Sequence, residues 1–217
     1  MSEVKMTRIY LFTRYERFWH WLQMAMIFTL IVTGLEIHDL FKFLGFQTAA
    51  ETHNFLGLTW LITFGFFAFW LFTTGEWKQY VPTGQKMFAV IRHYAYGIFR
   101  GEAHPFPKRK EAKHNPVQRL AYLSLAAVLL PVQMATGFLY WSYNSWKVWG
   151  LNFLSLELVS AIHMAGAFAI MSFIIVHVYM TTTGHTLFAH IKSMITGWEE
   201  IEAEEEVNGW DERKRSR

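Results

Sequence analysis

Four apolar stretches, each about 20 residues long, limit what this chain can fold into. They run approximately over residues 18–37, 54–73, 120–141 and 158–181. A helix of about 20 apolar residues crosses a hydrocarbon core of about 30 Å, whereas a buried helix of a soluble domain is usually shorter. The sequence therefore predicts an all-α membrane protein, built as a bundle of four transmembrane helices.

The connections between these stretches differ in length and composition. Two are short, and the third, residues 75–119, contains "PTGQKMFAVIRHYAYGIFRG", where apolar residues recur at helical spacing beside basic ones. This pattern predicts a helix at about 84–100 that lies in the membrane interface, with a solvated loop as the alternative. We expect residues 1–197 to form the bundle domain. Residues 198–217, which include the acidic run "EEIEAEEE", are expected to form a charged, solvated tail that is helical or disordered.

The basic residues predict the orientation of the chain. Of the 20 lysine and arginine residues, only Lys42 and Lys147 fall in the two short loops. Because basic segments remain in the cytoplasm, both termini and the long loop should be cytoplasmic, in a bacterial inner membrane. The N-terminal segment shows no cleavage-site pattern before its first apolar run, which predicts an uncleaved first span. No nucleic-acid partner is expected.

Four histidines lie in or directly beside these apolar stretches, at two depths. His20 lies at the cytoplasmic start of the first, His53 at the periplasmic start of the second, and His163 and His177 near the two ends of the fourth. His163 and His177 lie within about 40° of one helix face and about 21 Å apart along the axis. Matching by depth pairs His53 with His163 and His20 with His177.

The residue types at these positions favour haem. The chain has no cysteine, which excludes disulfides, thiolate iron–sulfur ligation and covalent c-type haem. A zinc ion would need three or four ligands at one depth, and a proton relay would usually include carboxylates. An interhelical hydrogen bond would explain one such histidine but not four at matched depths. We therefore expect two six-coordinate b-type haems, stacked across the bilayer and held by His20, His53, His163 and His177.

Small residues beside the histidines have two interpretations. Glycines at positions 34, 57, 137 and 166 could let a flat macrocycle approach the helix backbone. Small residues also serve plain helix packing in membranes, which is the alternative.

Several segments resemble one family of membrane cytochromes. "RFWHWLQMAMIFTLIVTGL", "HNFLGL", "HNPVQRLAYL" and "SAIHMAGAFAIMSFIIVHVYM" resemble the dihaem cytochrome b subunits of respiratory formate dehydrogenase, thiosulfate reductase and nickel–iron hydrogenase, up to about residue 197. The resemblance implies the same four haem ligands, and a site for menaquinone or another quinone beside the haem of His177. Asn115 and Gln118 match residues of that site. A helix cap before Pro116 is the alternative for Asn115.

The resemblance also implies a function. The chain would be the membrane-anchor electron-transfer subunit of a larger respiratory oxidoreductase complex. It would carry electrons between a periplasmic iron–sulfur or multihaem cytochrome subunit and a membrane quinone. Two alternatives stay open: a stand-alone b-type cytochrome oxidoreductase similar to superoxide oxidase, and a proton-relay transporter. The absence of Asp and Glu deep in the spans argues against the transporter. His185 and His190 lie off a common helix face and make a poor metal pair.

Overall fold

The computed structural model of the chain describes residues 6–84, 86–102, 105, 113–184 and 186–202. Helices and two short strands alternate with brief turns in this part of the chain. In chain order the elements are β1 (Met6–Tyr10), α1 (Arg14–Ile37), α2 (Phe46–Thr74), α3 (Met87–Arg92), α4 (Pro116–Ser124), α5 (Leu130–Trp141), α6 (Leu156–Thr181), α7 (Ala189–Thr196) and β2 (Trp198–Glu202).

Among the described residues, four helices are long and apolar enough to cross a membrane, which confirms the predicted fold. They are Arg14–Ile37, Phe46–Thr74, Pro116–Trp141 and Leu156–Thr181. The third consists of α4 and α5, joined by a π-helical turn at Leu125–Leu129. Pro131 near the start of α5 explains this turn, because proline lacks the N–H of a regular helix and its ring crowds the preceding turn.

Polar caps make the spans begin earlier than the apolar stretches do. Thr13 and Glu16 cap α1 reciprocally: the Thr13 N–H donates to Glu16 Oε2 (2.8 Å) and the Glu16 N–H donates to Thr13 Oγ1 (3.3 Å). The Ser155 hydroxyl likewise accepts from the Leu158 N–H at 3.1 Å. Because α2 begins at Phe46, His53 lies about two turns inside that helix and not at its start.

The middle parts of the four spans form one compact unit, residues Phe18–Thr74 and Leu125–Val178. Every span contributes to its buried core, which consists of Met26, Leu30, Trp60, Leu130, Met134 and Ile170. On α6, Ile170 lies midway between His163 and His177, so apolar packing separates the two histidine depths. Many other apolar side chains of these helices face outward, and Phe66 and Phe72 of α2 are 66% and 72% exposed. Outward apolar side chains suit a lipid environment.

The described residues before Phe18, between Gly75 and Ser124, and from Tyr179 to Glu202 form a second compact unit. In it, α3 continues through a π-helical turn, His93–Gly97, and a 3-10 turn, Ile98–Arg100. Residues 87–100 are thus helical within the segment predicted as a helix at about 84–100, and its place in the interface stays a prediction. Val90 is fully buried, but Phe88 and Phe99 are 86% and 76% exposed.

A two-stranded antiparallel sheet in this second unit was not predicted. β1 pairs with β2, so that Tyr10 lies opposite Trp198. The Gly197 carbonyl accepts from the Leu11 N–H at 2.8 Å, and Gly197 has a φ of 90°, which favours glycine. The first five residues of the expected tail are therefore a strand and not a solvated segment, because Ile201 is buried and the Trp198 ring packs edge-on against Tyr10. Residues 203–217 lie outside the described residues.

Candidate functional site: two histidine pairs inside the bundle

Four histidines meet in two pairs within the unit formed by the spans. The ring centroids of His20 and His177 lie 6.1 Å apart, and those of His53 and His163 lie 6.3 Å apart. Helix α6 contributes one histidine to each pair, and α1 and α2 contribute the partners. The members of each predicted pair are therefore neighbours in the structure, and their role as haem ligands stays a prediction.

The spacing within each pair fits two axial ligands of one metal. A metal–imidazole bond of about 2.0 Å on each side, with about 1.1 Å from the nitrogen to the ring centre, separates two axial rings by about 6.2 Å. Both observed separations agree with this value. Among the described residues, no group of three or more His, Cys, Asp or Glu could hold a metal ion. The donor set therefore suits an iron whose other ligands come from a macrocycle, and does not suit zinc.

A threonine of α1 contacts ring nitrogen Nδ1 of His53. Thr33 Oγ1 lies 2.9 Å from His53 Nδ1, and the Thr33 hydroxyl also donates to the Thr29 carbonyl at 2.8 Å. We assign the hydroxyl proton to the Thr29 carbonyl, which leaves the oxygen to accept from Nδ1–H. His53 therefore carries its proton on Nδ1, and the Nε2 lone pair is available to a metal.

His163 is held in the same way by the third span. Thr136 Oγ1 lies 3.1 Å from His163 Nδ1 and donates to the Val132 carbonyl at 2.8 Å. The Gln133 carbonyl is a second acceptor, 3.2 Å from Nδ1. Gln133 Nε2 lies 3.2 Å from His163 Nε2, so a metal bound there would replace this amide contact. Sequence reasoning missed Thr33, Thr136 and Gln133.

Two of the four glycines singled out in the sequence lie directly against these rings. A Cβ at Gly34 would lie 3.3 Å from His53 Cε1, and a Cβ at Gly137 would lie 3.0 Å from His163 Cε1. Gly166 faces the Gln133 side chain, and a Cβ at Gly57 would meet no atom within 4 Å. Gly34 and Gly137 thus let the imidazoles approach the helix backbone.

Asn115 and Gln118, the residues predicted to bind a quinone, form a capping box in the second unit. The Asn115 N–H donates to Gln118 Oε1 (3.0 Å) and the Gln118 N–H donates to Asn115 Oδ1 (2.9 Å). Asn115 therefore caps the helix, as one interpretation predicted, and Gln118 shares this cap, while the quinone role of both residues stays a prediction. Asn115 Nδ2 also donates to the Tyr94 hydroxyl at 2.7 Å. Burial raises the pKa of Tyr94 more than this bond lowers it, so the phenol stays protonated.

Charged and aromatic side chains lie near this cap. Lys113 is buried, and its Nζ lies 2.5 Å from Glu16 Oε1 and 3.8 Å from Glu76 Oε2. The ring of His114 packs edge-on against Tyr80 and Tyr122. Burial, reinforced by Glu16, Tyr122 and Glu76, raises the pKa of Tyr80, which therefore stays neutral.

Of the histidines His185 and His190, one contacts a glutamate of β2. His190 Nδ1 lies 3.0 Å from Glu199 Oε1, and this contact holds α7 against β2. His185 lies outside the described residues, so only His190 can be placed.

Comparisons with known proteins agree with this geometry. Residues 11–197 match the family described as prokaryotic cytochrome b561. A protein of Escherichia coli (strain K12) named "Putative cytochrome YdhU" is 30% identical over 203 residues, which cover 88% of this chain and 74% of that protein. No solved structure matches the chain. The finer resemblance to respiratory-complex subunits stays a prediction. The family match covers all four spans and both histidine pairs. The chain therefore belongs to the prokaryotic cytochrome b561 family, whose members are multi-pass proteins of the bacterial inner membrane that bind b-type haem.

Proposed function

We propose that this chain is a membrane-anchor electron-transfer subunit. It carries electrons between a periplasmic iron–sulfur or multihaem cytochrome subunit and a membrane quinone, through two b haems. The observation that carries the proposal is the presence of two imidazole pairs, 6.1 Å and 6.3 Å between ring centroids, at two depths of the bundle. A haem held by a single pair would lie near only one face of the membrane, so it would not connect the two faces.

The histidines, the apolar core and the loops have different roles in this proposal. The four histidines bind two haems, which supply one-electron redox chemistry when present. The apolar core around Trp60 and Ile170 excludes water between the two depths. The basic termini and long loop are cytoplasmic, and the short loops are periplasmic. The membrane potential raises or lowers the free energy of moving an electron across the membrane, by about 2.3 kcal/mol per elementary charge per 100 mV.

Haem content of single variants tests the ligand assignment. His163→Ala and His177→Ala should each lower the haem-to-protein ratio from about two to about one, because each removes a strong axial ligand of a different iron. The two variants should lose different low-spin signals in electron paramagnetic resonance (EPR). His190→Ala, whose ring contacts Glu199, is the matched control and should keep both haems. Two full low-spin haems in either ligand variant would refute the assignment.

We also propose that the quinone binds at the cap formed by Asn115 and Gln118, together with Tyr94. A quinone carbonyl needs a hydrogen-bond donor that is held in place. Asn115 is 5% exposed and its carboxamide is fixed by two bonds, to the Gln118 N–H and to the Tyr94 hydroxyl. These bonds support a preorganised polar site.

A pair of substitutions at Asn115 separates the quinone role from the capping role. Asn115→Leu removes both, whereas Asn115→Ser keeps a good helix cap and loses the carboxamide. Both variants should slow quinone-coupled turnover at least tenfold and weaken the binding of a quinone-analogue inhibitor. Both haem spectra should stay intact. If Asn115→Ser turns over like the wild type, the residue is only a cap and this quinone site is wrong.

The partner is proposed to bind the short loops. The first of these loops is held by Glu36, whose Oε1 accepts from the N–H groups of Phe43 (2.7 Å), Leu44 (2.7 Å) and Gly45 (2.8 Å). Phe43 in this loop and Val148 in the other are 80% and 85% exposed. Exposed apolar side chains on a fixed loop favour protein contact or interfacial lipid. Purification in mild detergent should retain a redox partner, whereas a stand-alone oxidoreductase would purify alone and be active.

A further inference from the structure

We propose that Thr33 and Thr136 are positioning residues for one haem, because their hydroxyls accept hydrogen bonds from the Nδ1–H groups of both its axial histidines. The two bonds fix the ring tautomers and lower the reduction potential of that haem. The inference rests on the proposed role of His53 and His163 as ligands of one iron.

The direction of each hydrogen bond follows from the backbone. Both threonine hydroxyls donate to the carbonyl four residues earlier, at 2.8 Å in each case. With the hydroxyl protons assigned to these carbonyls, each oxygen offers its lone pairs to the imidazole, at 2.9 Å for His53 and 3.1 Å for His163. At His163 the Gln133 carbonyl, which can only accept, supports the same direction. Thr33 is fully buried and Thr136 is 7% exposed, so water does not compete for these bonds.

The same arrangement is built twice, on two different helix pairs. In each, a threonine on one span is followed by a glycine, and the histidine comes from the next span along the chain. The glycine lets the ring edge approach, since a Cβ at Gly34 or Gly137 would lie within 3.3 Å of the ring. Both copies serve one histidine pair. At the other depth, His20 Nδ1 is buried with no hydrogen-bond partner among the described residues.

The chemical effect follows from how a hydrogen bond alters the ligand. An imidazole that donates from Nδ1–H to an acceptor becomes a more basic ligand through Nε2. A more basic axial ligand stabilises the ferric form relative to the ferrous form, which lowers the reduction potential. Because both ligands of one iron receive this bond, the two threonines should act on the same haem.

The test is a redox titration of the purified holoprotein, monitored by EPR of its low-spin haems. The two histidine pairs differ in interplanar angle, 50° and 77°, which should separate their signals. Thr33→Val should raise the ferrous-to-ferric ratio of this haem at least threefold at a fixed potential, or about 28 mV. Thr136→Val should raise the ratio of the same haem by less, because the Gln133 carbonyl still accepts from His163 Nδ1–H. Thr33→Ser and Thr136→Ser, which keep the hydroxyl, should titrate like the wild type.

A control and a second substitution complete the design. Thr29→Val removes a hydroxyl that bonds the Ala25 carbonyl on the same helix, and it should change neither haem. Thr136→Ala removes the hydroxyl without adding bulk, and it should give the same shift if the valine variant fails to assemble. Loss of the haem from the valine and alanine variants with retention in the serine variant also supports the proposal.

Three results would overturn it. These are unchanged potentials in both valine variants at full haem content, shifts of two different haems, and loss of haem from the serine variants. The proposed function fails by a different result, the persistence of both low-spin haems in His163→Ala.

Discussion

Contacts with single residues fix the orientation of His53 and His163 in the bundle. His53 and His163 are each fixed by a threonine and a glycine of the preceding span. The sequence predicted the histidines and their pairing, because both follow from span order and depth. It did not predict the threonines or Gln133, because those contacts join residues on different spans. A threonine–glycine pair inside the span before a ligand histidine is the pattern that could have found them.

The glycines give a prediction at this scale. Gly137→Ala adds a Cβ at 3.0 Å from the His163 ring, and Gly34→Ala adds one at 3.3 Å from the His53 ring. Overpacking of this kind costs about 1–3 kcal/mol, so both variants should bind one haem about tenfold or more weakly, with the larger effect at Gly137. Haem content and the low-spin EPR signals measure this. Gly65→Ala, at an exposed position of α2, is the control. Equal haem content in all three variants would contradict the account.

The C-terminal ends of the membrane spans were predicted better than their starts. The predicted ends at Ile37, Trp141 and Thr181 agree with the structure, because apolar composition stops there. The starts lie earlier, because polar caps such as Thr13 and Glu16 extend a helix beyond its apolar stretch. The sheet of β1 and β2 was missed, because its two strands come from opposite ends of the chain.

An ion pair at the start of α1 gives a prediction at the element scale. Lys113 and Glu16 are 6% and 18% exposed, and their charged atoms lie 2.5 Å apart. Removing one partner of a buried pair leaves the other charge without compensation, which costs about 3–5 kcal/mol. Lys113→Ala should therefore lower the thermal midpoint in detergent by several degrees. Lys42→Ala removes a lysine whose pair with Asp39 is largely exposed and should change the midpoint little. Equal midpoints for the two variants would show that the buried pair does not stabilise the fold.

At the scale of the whole molecule, the predicted four-span bundle and its membrane location are confirmed. Length and hydropathy were sufficient for this, since a bilayer leaves few alternatives for apolar segments of this size. The identity of the partner and the direction of electron flow depend on another protein, so no pattern in this chain predicts them. The short loops contain only two lysine or arginine residues, Lys42 and Lys147, and this distribution supports the proposed orientation.

Reporter fusions test that orientation. A fusion at Lys147 should report a periplasmic location and a fusion at the C-terminus a cytoplasmic one, because basic segments are retained inside. Alkaline phosphatase and green fluorescent protein give complementary readouts. The reverse pattern would exchange the membrane faces of the two histidine pairs and move the proposed quinone site to the periplasm.

The haem content of double variants tests the central claim most directly, namely that two haems are held by two separate histidine pairs. Replacing both members of one pair, as in the double variant His53→Ala and His163→Ala, should leave one haem per chain, because the other pair is intact. Replacing one member of each pair, as in His163→Ala and His177→Ala, should leave none. Equal haem content in these two proteins, or a haem retained by the second, would contradict the account.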